Sequence, residues 1–567
     1  MINTIINASL KDRFMVLIAT LIIAMAGLWS YNNTFLDAIP DLSDVQVIVF
    51  TKYPGQAPQV VEDQVTYPLT TAMLSVPHSK IVRGYSFFGL SFVYIIFDDG
   101  TDMYWARSRV LESLNFVSSK LPEGVTPTLG PDATGVGWVY EYALVDKTGQ
   151  HDLAQLRSIQ DWYLRYPLQT VPGVAEVASV GGFVKQYQVE VDPNVLQAYG
   201  IPLSKVKQAI KRSNNDVGGR LIEMAETEYM VRGLGYIQSI EDLNSIPVGV
   251  DSNGTPIRLQ DIANVHIGPE LRRGLVELNG EGEVAGGVVI MRYGENALST
   301  IQGVRKKLDE LKQGLPAGVE IIPVYDRGNL IERAVASLNE SLLQELAIVS
   351  FVVILFLLHA RSALVAIITL PLGILMAFIV MKFQSLNANI MSLGGIAITI
   401  GTMVDGAIVM VENAHKHLEQ STAEKGADLN NDERWRAIGA ASREVGPALF
   451  FSLLIITASF LPIFTMQAQE GRMFSPLAFT AAYAMAASAI LAVTLVPVMM
   501  GYFIRGKIIS ERKNPVNRLL HAIHTPLLKT AMQWRKITVV LALGLLLLTL
   551  YPYSKLGSEF MPPLDGG

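Results

Sequence analysis

The sequence predicts an α-helical membrane bundle of about seven spans, carrying one large α+β insert built of two subdomains. Three observations predict it. Half of the 567 residues are hydrophobic and only 17% are charged, against about 25% in an ordinary soluble domain. One apolar run of spanning length stands near the N-terminus, and six more crowd the chain from residue 342 onward. Between them lies a long stretch with strand and helix patterns but no apolar segment able to cross a bilayer.

Composition also excludes some functions. The net charge is only -6 and no dense basic patch offers itself to nucleic acid. Cysteine is absent, which rules out disulfides, iron–sulfur clusters and thiolate metal sites. No phosphate loop, dinucleotide glycine pattern or HExxH motif occurs, so a hydrolase or nucleotide enzyme finds no constellation to stand on.

Taken in order, residues 1–31 hold the first transmembrane helix. Its apolar run, "FMVLIATLIIAMAGLWSY" (14–31), follows Lys11 and Arg13. Ala24-Met25-Ala26 resembles a cleavage site, so a signal peptide is the rival. The run nevertheless continues through Trp29 and Tyr31, as an interface-anchored span does.

Residues 32–338 form the insert. "VQVIVFTKYPG" and "SFVYIIFDDG" are β-branched and aromatic enough for strands. "APQVVEDQVTYPLTTAML" and "MYWARSRVLESLNFVSSKL" have helical periodicity. A second set follows, from strand "WVYEYALVD" and helix "DLAQLRSIQDWYLRYPLQTV" to strands near "VAEVASVGG" and "KQYQVEVDP". The segment 284–326 resumes the earlier pattern, which places the second subdomain inside the first.

Residues 339–501 supply transmembrane helices two to six, at 342–358, 364–383, 391–414, 446–466 and 474–501. The connector 415–445 is charged and mixed in sign, a solvated loop or surface helix. Residues 502–536 form an amphipathic connector, whose His521 and His524 lack a third metal ligand nearby. The seventh span, 537–553, lies within 537–567. Arg361 and the lysines and arginines of 502–536 fall on the same side as the N-terminus. That side is cytoplasmic by the excess of positive charge, and the insert is periplasmic.

The fourth span, 391–414, holds a carboxylate in an apolar helix. A charge at mid-membrane costs about 2.5–3.5 kcal/mol on insertion scales, so such residues default to a functional reading. At about 100° per residue, Asp405 and Glu412 share one face, and Met403 and Met410 share another on the far side. Gly394, Gly395, Gly401 and Gly406 would let neighbouring helices come close. Asp405 reads as a proton relay whose pKa burial raises; an ion pair that only locks packing is the alternative. Glu412 lies nearer the cytoplasmic end, where snorkelling or capping suits it. The thioethers are core filler or ligands for a soft cation such as Cu(I).

"DAIPDLSDVQVIVFTKYPGQAP", "GPDATGVGWVYEYALVD", "NANIMSLGGIAITIGTMVDGAIVMVENAHK" and "VGPALFFSLLIITASFLPIF" resemble the heavy-metal efflux branch of the resistance-nodulation-division superfamily, CusA-type pumps in particular. The resemblance runs over the whole chain. It implies a homotrimeric, proton-driven inner-membrane transporter without cofactor, working with a periplasmic adaptor protein and an outer-membrane channel. The insert would be a pair of ferredoxin-like β-α-β porter subdomains, with part of a docking region set into the second. Asp405 inherits the proton-relay role. Met391, Met403, Met410, Met485 and Met500 match transmembrane stepping sites for Cu(I) or Ag(I). Gly406, a feature of the zinc/cobalt side, keeps a zinc, cobalt or nickel pump open as an alternative. Such pumps are about twice this length. The resemblance therefore makes the chain an N-terminal half, with the main periplasmic metal site and the partners of Asp405 in a C-terminal half. Met73, Met224 and Met230 are accordingly given no metal. A truncated remnant or a non-transporting accessory subunit is the reading from another class.

Overall fold

The computed structural model describes all residues except 252–253, 273, 358, 385, 428, 506–513 and 557–567. Lys507, Glu511, Arg512 and Lys513 of the basic connector lie outside the described residues, as does the segment after the last span. The chain divides into two compact units, Asp41–Ile331 and Met1–Pro40 with Glu332–Gly567.

Within Asp41–Ile331, the first sheet joins β1 (Gln46–Lys52), β2 (Ser79–Phe87), β3 (Leu90–Phe97) and β4 (Pro127–Leu129) in the antiparallel order β2-β3-β1-β4. Alternation decides which face is covered. Val47 and Val49 of β1, with Val93, Ile95 and Phe97 of β3, point to one side. They meet Val61, Val65, Leu69 and Met73, spaced every fourth residue along helical segment 58–73, and Met103, Ala106, Val110 and Leu114 of helix Met103–Val117. Each fully buried side chain of this size contributes about 1.5–3 kcal/mol. Met73 is part of this core.

The second sheet joins β5 (Trp138–Asp146), β6 (Val174–Gly181), a strand at Ala285–Met291 and a strand at Val319–Asp326. Ala285–Met291 pairs with both β5 and β6, and Val319–Asp326 with the other edge of β5. The second subdomain is therefore not nested inside the first as expected; the insertion is in the second, where the resemblance places part of a docking region. The first subdomain is continuous, and segment 182–284 is set into the second. The long-range pairing is the reason: 285–291 completes the sheet of β5 and leaves that of β1 untouched. Strand Lys185–Val191, grouped above with the second subdomain, pairs instead with Ala263–Pro269 inside the insertion. The insertion also carries an exposed hairpin, Val217–Met224 with Thr227–Gly233, which holds Met224 and Met230. The boundary expected at 338 falls within helix Arg327–Leu357.

In the other unit, six helices among the described residues are long and apolar enough to cross a membrane. They are Arg13–Asn33, Arg361–Phe383, Ile390–Lys425, Asn431–Thr465, Ala468–Val493 and Arg535–Tyr553. Within the stretch expected at 342–358, the described residues give an apolar segment Leu343–Phe356, part of helix Arg327–Leu357. Arg13–Asn33 packs along Ala360–Phe383, with Tyr31 edge-on to Phe378 at 5.1 Å between ring centroids.

One further expectation changes, and a second is resolved between its two alternatives, loop and helix. The span 474–501 is two helices, Ala468–Val493 and Leu495–Phe503, broken at Thr494. Pro497 explains the break, since its ring meets the carbonyl four residues back and it donates no N–H. Connector 415–445 is almost entirely helix. Ile390–Lys425 runs on to Gly426, whose left-handed backbone (φ 66°) closes it. Asn431–Ser459 starts directly afterwards with a capping box between Asn430 and Glu433.

Helix Ile390–Lys425 approaches Ala468–Val493 through one glycine of the four. A Cβ on Gly395 would lie 2.3 Å from Thr480 Oγ1 and 2.4 Å from the Leu477 carbonyl oxygen, whereas one on Gly394 would meet nothing within 4 Å. Gly401 is as open as Gly394, and Gly406 faces only Leu453 Cδ1 at 3.4 Å. Gly395→Ala should therefore cost about 1–3 kcal/mol as an overpacked contact. Thermal unfolding in detergent should show a clearly lower midpoint for Gly395→Ala and an unchanged one for Gly394→Ala. Equal midpoints would contradict this packing.

Candidate functional site

The helix that carries Asp405 is held from its first residue. Asn389 Oδ1 accepts from Ser392 N–H, and Ser392 Oγ accepts from Asn389 N–H, so both buried polar residues satisfy each other. Backbone bonds from Ala388 to Phe35 and from Ile390 to Ala38 tie the same end to the segment after the first span. From the facing helix Ala468–Val493, Thr480 Oγ1 lies 2.9 Å from the Ser392 carbonyl and Ser488 Oγ 3.4 Å from that of Met403. Hydroxyls that reach a neighbouring backbone are a common adhesive between membrane helices. They also set the rotation of the Asp405 helix.

That rotation turns the thioethers inward. Met403 and Met485 are buried in one cluster, with Leu453 and small residues such as Ala377 and Ala484. Met410 and Met500 are buried in a second, with Met381 and Met499. Room for Met403 comes from Gly373, because a Cβ there would lie 2.2 Å from Met403 Cε. Met391 is only half-buried and belongs to neither cluster.

Asp405 faces the other way. It is exposed, on a stripe with Ile398, Gly401 and Val409, and it has no hydrogen bond or ion pair among the described residues. The burial expected for it is thus not found in this chain, since the packed helices all lie on the methionine side. Glu412, on the same stripe, pairs with Lys416 one turn on at 2.8 Å. Among the described residues no group of three or more His, Asp or Glu side chains is gathered as a metal site, which leaves thioethers as the clustered soft donors.

Sequence reading missed a buried polar chain at the Arg505 end of the bundle. Ser362 Oγ lies 2.7 Å from His359 Nδ1 and 2.7 Å from His415 Nε2, and His359 Nε2 lies 3.1 Å from the Arg505 carbonyl. The only signal in the sequence was a histidine just outside each of two apolar runs. His417 and Asn413 also reach Glu444 of the next helix, at 2.5 and 3.4 Å.

Comparison with known proteins agrees with this architecture. The model of the AcrB/AcrD/AcrF family matches residues 5–567. The chain is 60% identical to the Cation efflux system protein CusA of Escherichia coli (strain K12) and 58% identical to the Putative cation efflux system protein SilA of Salmonella typhimurium. Both matches cover 100% of this chain and 54% of the relative. The Cobalt-zinc-cadmium resistance protein CzcA of Cupriavidus metallidurans is 37% identical over the whole chain. A crystal structure of a heavy metal efflux pump (crystal form II) superposes with a TM-score of 0.83 at 30% identity, covering 99% of this chain and 53% of that one. The chain thus spans about half the length of the relatives it matches. With a family model that spans nearly every residue and relatives at this identity, the chain belongs to the AcrB/AcrD/AcrF family and, within it, groups with the heavy-metal efflux proteins.

Proposed function

We propose that the chain forms the N-terminal half of a proton-driven pump that exports monovalent copper or silver across the bacterial inner membrane. One observation carries the reading. A single helix presents thioethers inward, each buried in a cluster that also holds a methionine of another helix, and outward a carboxylate, Asp405, unpaired among the described residues. Soft thioethers suit soft monovalent cations, and neutral sulfur ligands let an ion move between sites without strong trapping. A carboxylate on the opposite face of the same helix can bind and release a proton while the helix shifts. The two events are then coupled mechanically, with no shared ligand.

Asp405, Gly401 and Gly394 would meet helices of a second half, whose cationic or carboxylic groups would complete the relay. We read the six long helices together with Leu343–Phe356 as seven crossings. The basic connectors lie on the cytoplasmic side and the sheets on the periplasmic side. The order β-α-β-β-α-β in both sheets supports ferredoxin-like porter subdomains. A homotrimer with a periplasmic adaptor and an outer-membrane channel follows from the family resemblance. Gly406 and the identity to CzcA favour a divalent cargo as the second reading; survival under silver against survival under zinc separates the two.

In the complete assembly, Asp405→Asn should abolish silver resistance and silver-dependent proton uptake. Undiminished resistance would falsify the relay. Met403→Leu combined with Met485→Leu keeps volume and apolarity, so stability should change by less than about 1.5 kcal/mol. Silver export should nevertheless fall about tenfold, measured as uptake into everted vesicles. Full export by this folded double variant would reduce the pair to packing.

A further inference from the structure

We infer that His415, Ser362 and His359 form a proton wire through which the pump releases protons to the cytoplasm; the inference rests on the proton-driven reading above. The direction of the hydrogen bonds follows from one acceptor that cannot donate. The Arg505 carbonyl requires a proton on His359 Nε2, 3.1 Å away. Neutral His359 then has a bare Nδ1, which accepts from the Ser362 hydroxyl at 2.7 Å. With its proton so used, Ser362 Oγ accepts from His415 Nε2–H, also at 2.7 Å. His415 Nδ1 is left as the ring nitrogen without a protein hydrogen bond among the described residues. It is the point of entry.

Ser362 is fully buried and His415 nearly so, whereas His359 is half-exposed. The chain therefore runs from the bundle interior to its rim. His415 lies ten residues beyond Asp405 on the same helix, about 15 Å towards the cytoplasmic end. The charged groups of the surrounding elements include Arg361 beside Ser362, Arg434 on the Asn431–Ser459 helix, Arg505, and Glu412, Lys416 and Glu419 on the helix of His415. None of these forms an ion pair with His415 among the described residues.

The transfer balances proton for proton. A proton binds His415 Nδ1. His415 then gives its Nε2 proton to Ser362 Oγ, and Ser362 gives its own to His359 Nδ1. His359, now carrying both N–H groups, loses the Nε2 proton to cytoplasmic water. Afterwards a bare Nε2 faces the Arg505 carbonyl, an unfavourable pair of acceptors; the chain conducts again once each imidazole has given up its Nδ1 proton and regained one at Nε2 by exchange.

The test uses the complete pump in everted membrane vesicles with an acidic lumen, reading silver-dependent proton flux at low external buffer. His359→Ala should lower the flux about tenfold, and concentrated PIPES, an impermeant buffer on the cytoplasmic face, should restore most of it. His359→Gln keeps a donor for the Arg505 carbonyl but cannot relay; it should behave the same if His359→Ala is poorly folded. Flux at the unsubstituted level in both variants, or a loss that no buffer restores, overturns the wire. Asp405→Asn separates the two readings. If it abolishes flux beyond rescue while the His359 variants match the unsubstituted pump, only the wire fails. If it leaves flux intact, the proton-driven reading fails and the wire with it.

Discussion

The approach of two helices at Gly395 sets the geometry of everything around Asp405. Gly395 has no side chain, so the Thr480 hydroxyl and the Leu477 carbonyl can stand where a Cβ would be. With lipid on the outside, no hydrophobic gradient drives membrane helices together; close packing and hydrogen bonds must do it. The contact fixes the helix in rotation as well as in distance. Once Gly395 and Ser392 face helix Ala468–Val493, Met403 and Met410 must face inward and Asp405 outward. The same rotation brings His415 against Ser362. A single small residue therefore aligns the thioether clusters, the outward carboxylate and the polar chain.

Among the described residues, polar groups around the Asp405 helix mostly follow one rule, that each finds a partner; buried Arg434 Nε and Glu345 Oε2 do not. Asn389 and Ser392 cap each other, Thr480 and Ser488 donate to backbone carbonyls, and His359, Ser362 and His415 share one chain. A polar group left unpaired in hydrocarbon costs several kcal/mol, so this economy is expected. Asp405 departs from it. Its stripe alternates Gly394, Gly401 and Asp405 with Ile398 and Val409, which is how a surface meant for another helix is built.

What could be read from the sequence depended on the range of the interactions involved. The opposed faces of Asp405 and Met403 follow from helical geometry over two residues, and they stand in the structure as expected. In the first sheet β2 and β4 were not legible; β1, β3 and the strands of the second sheet were, from their β-branched runs. Their partners were not, because 285–291 pairs with strands more than a hundred residues away, and nothing local states which sheet it joins. Gly394 and Gly395 look alike in the sequence, yet only helix rotation says which one is crowded. The break at Thr494 was available in principle from Pro497, but the apolar run around it masks the signal. Ser362 and His415, fifty-three residues apart, become neighbours only once their helices pack.

The insertion in the second sheet leaves and returns at adjacent points. Gly181 and Ala285 are direct partners across neighbouring antiparallel strands, so segment 182–284 closes on itself as a hairpin turn would. Loop closure grows only slowly with length, each doubling costing about 0.6 kcal/mol. To the sheet, a hundred-residue segment at this point costs only about 3 kcal/mol more in loop closure than a four-residue turn. The segment is a cassette. Its surface can diverge, lengthen or be exchanged between homologues without disturbing the strands that hold it, which gives evolution a way to retune what the exterior recognises while leaving the machinery in the bilayer as it is.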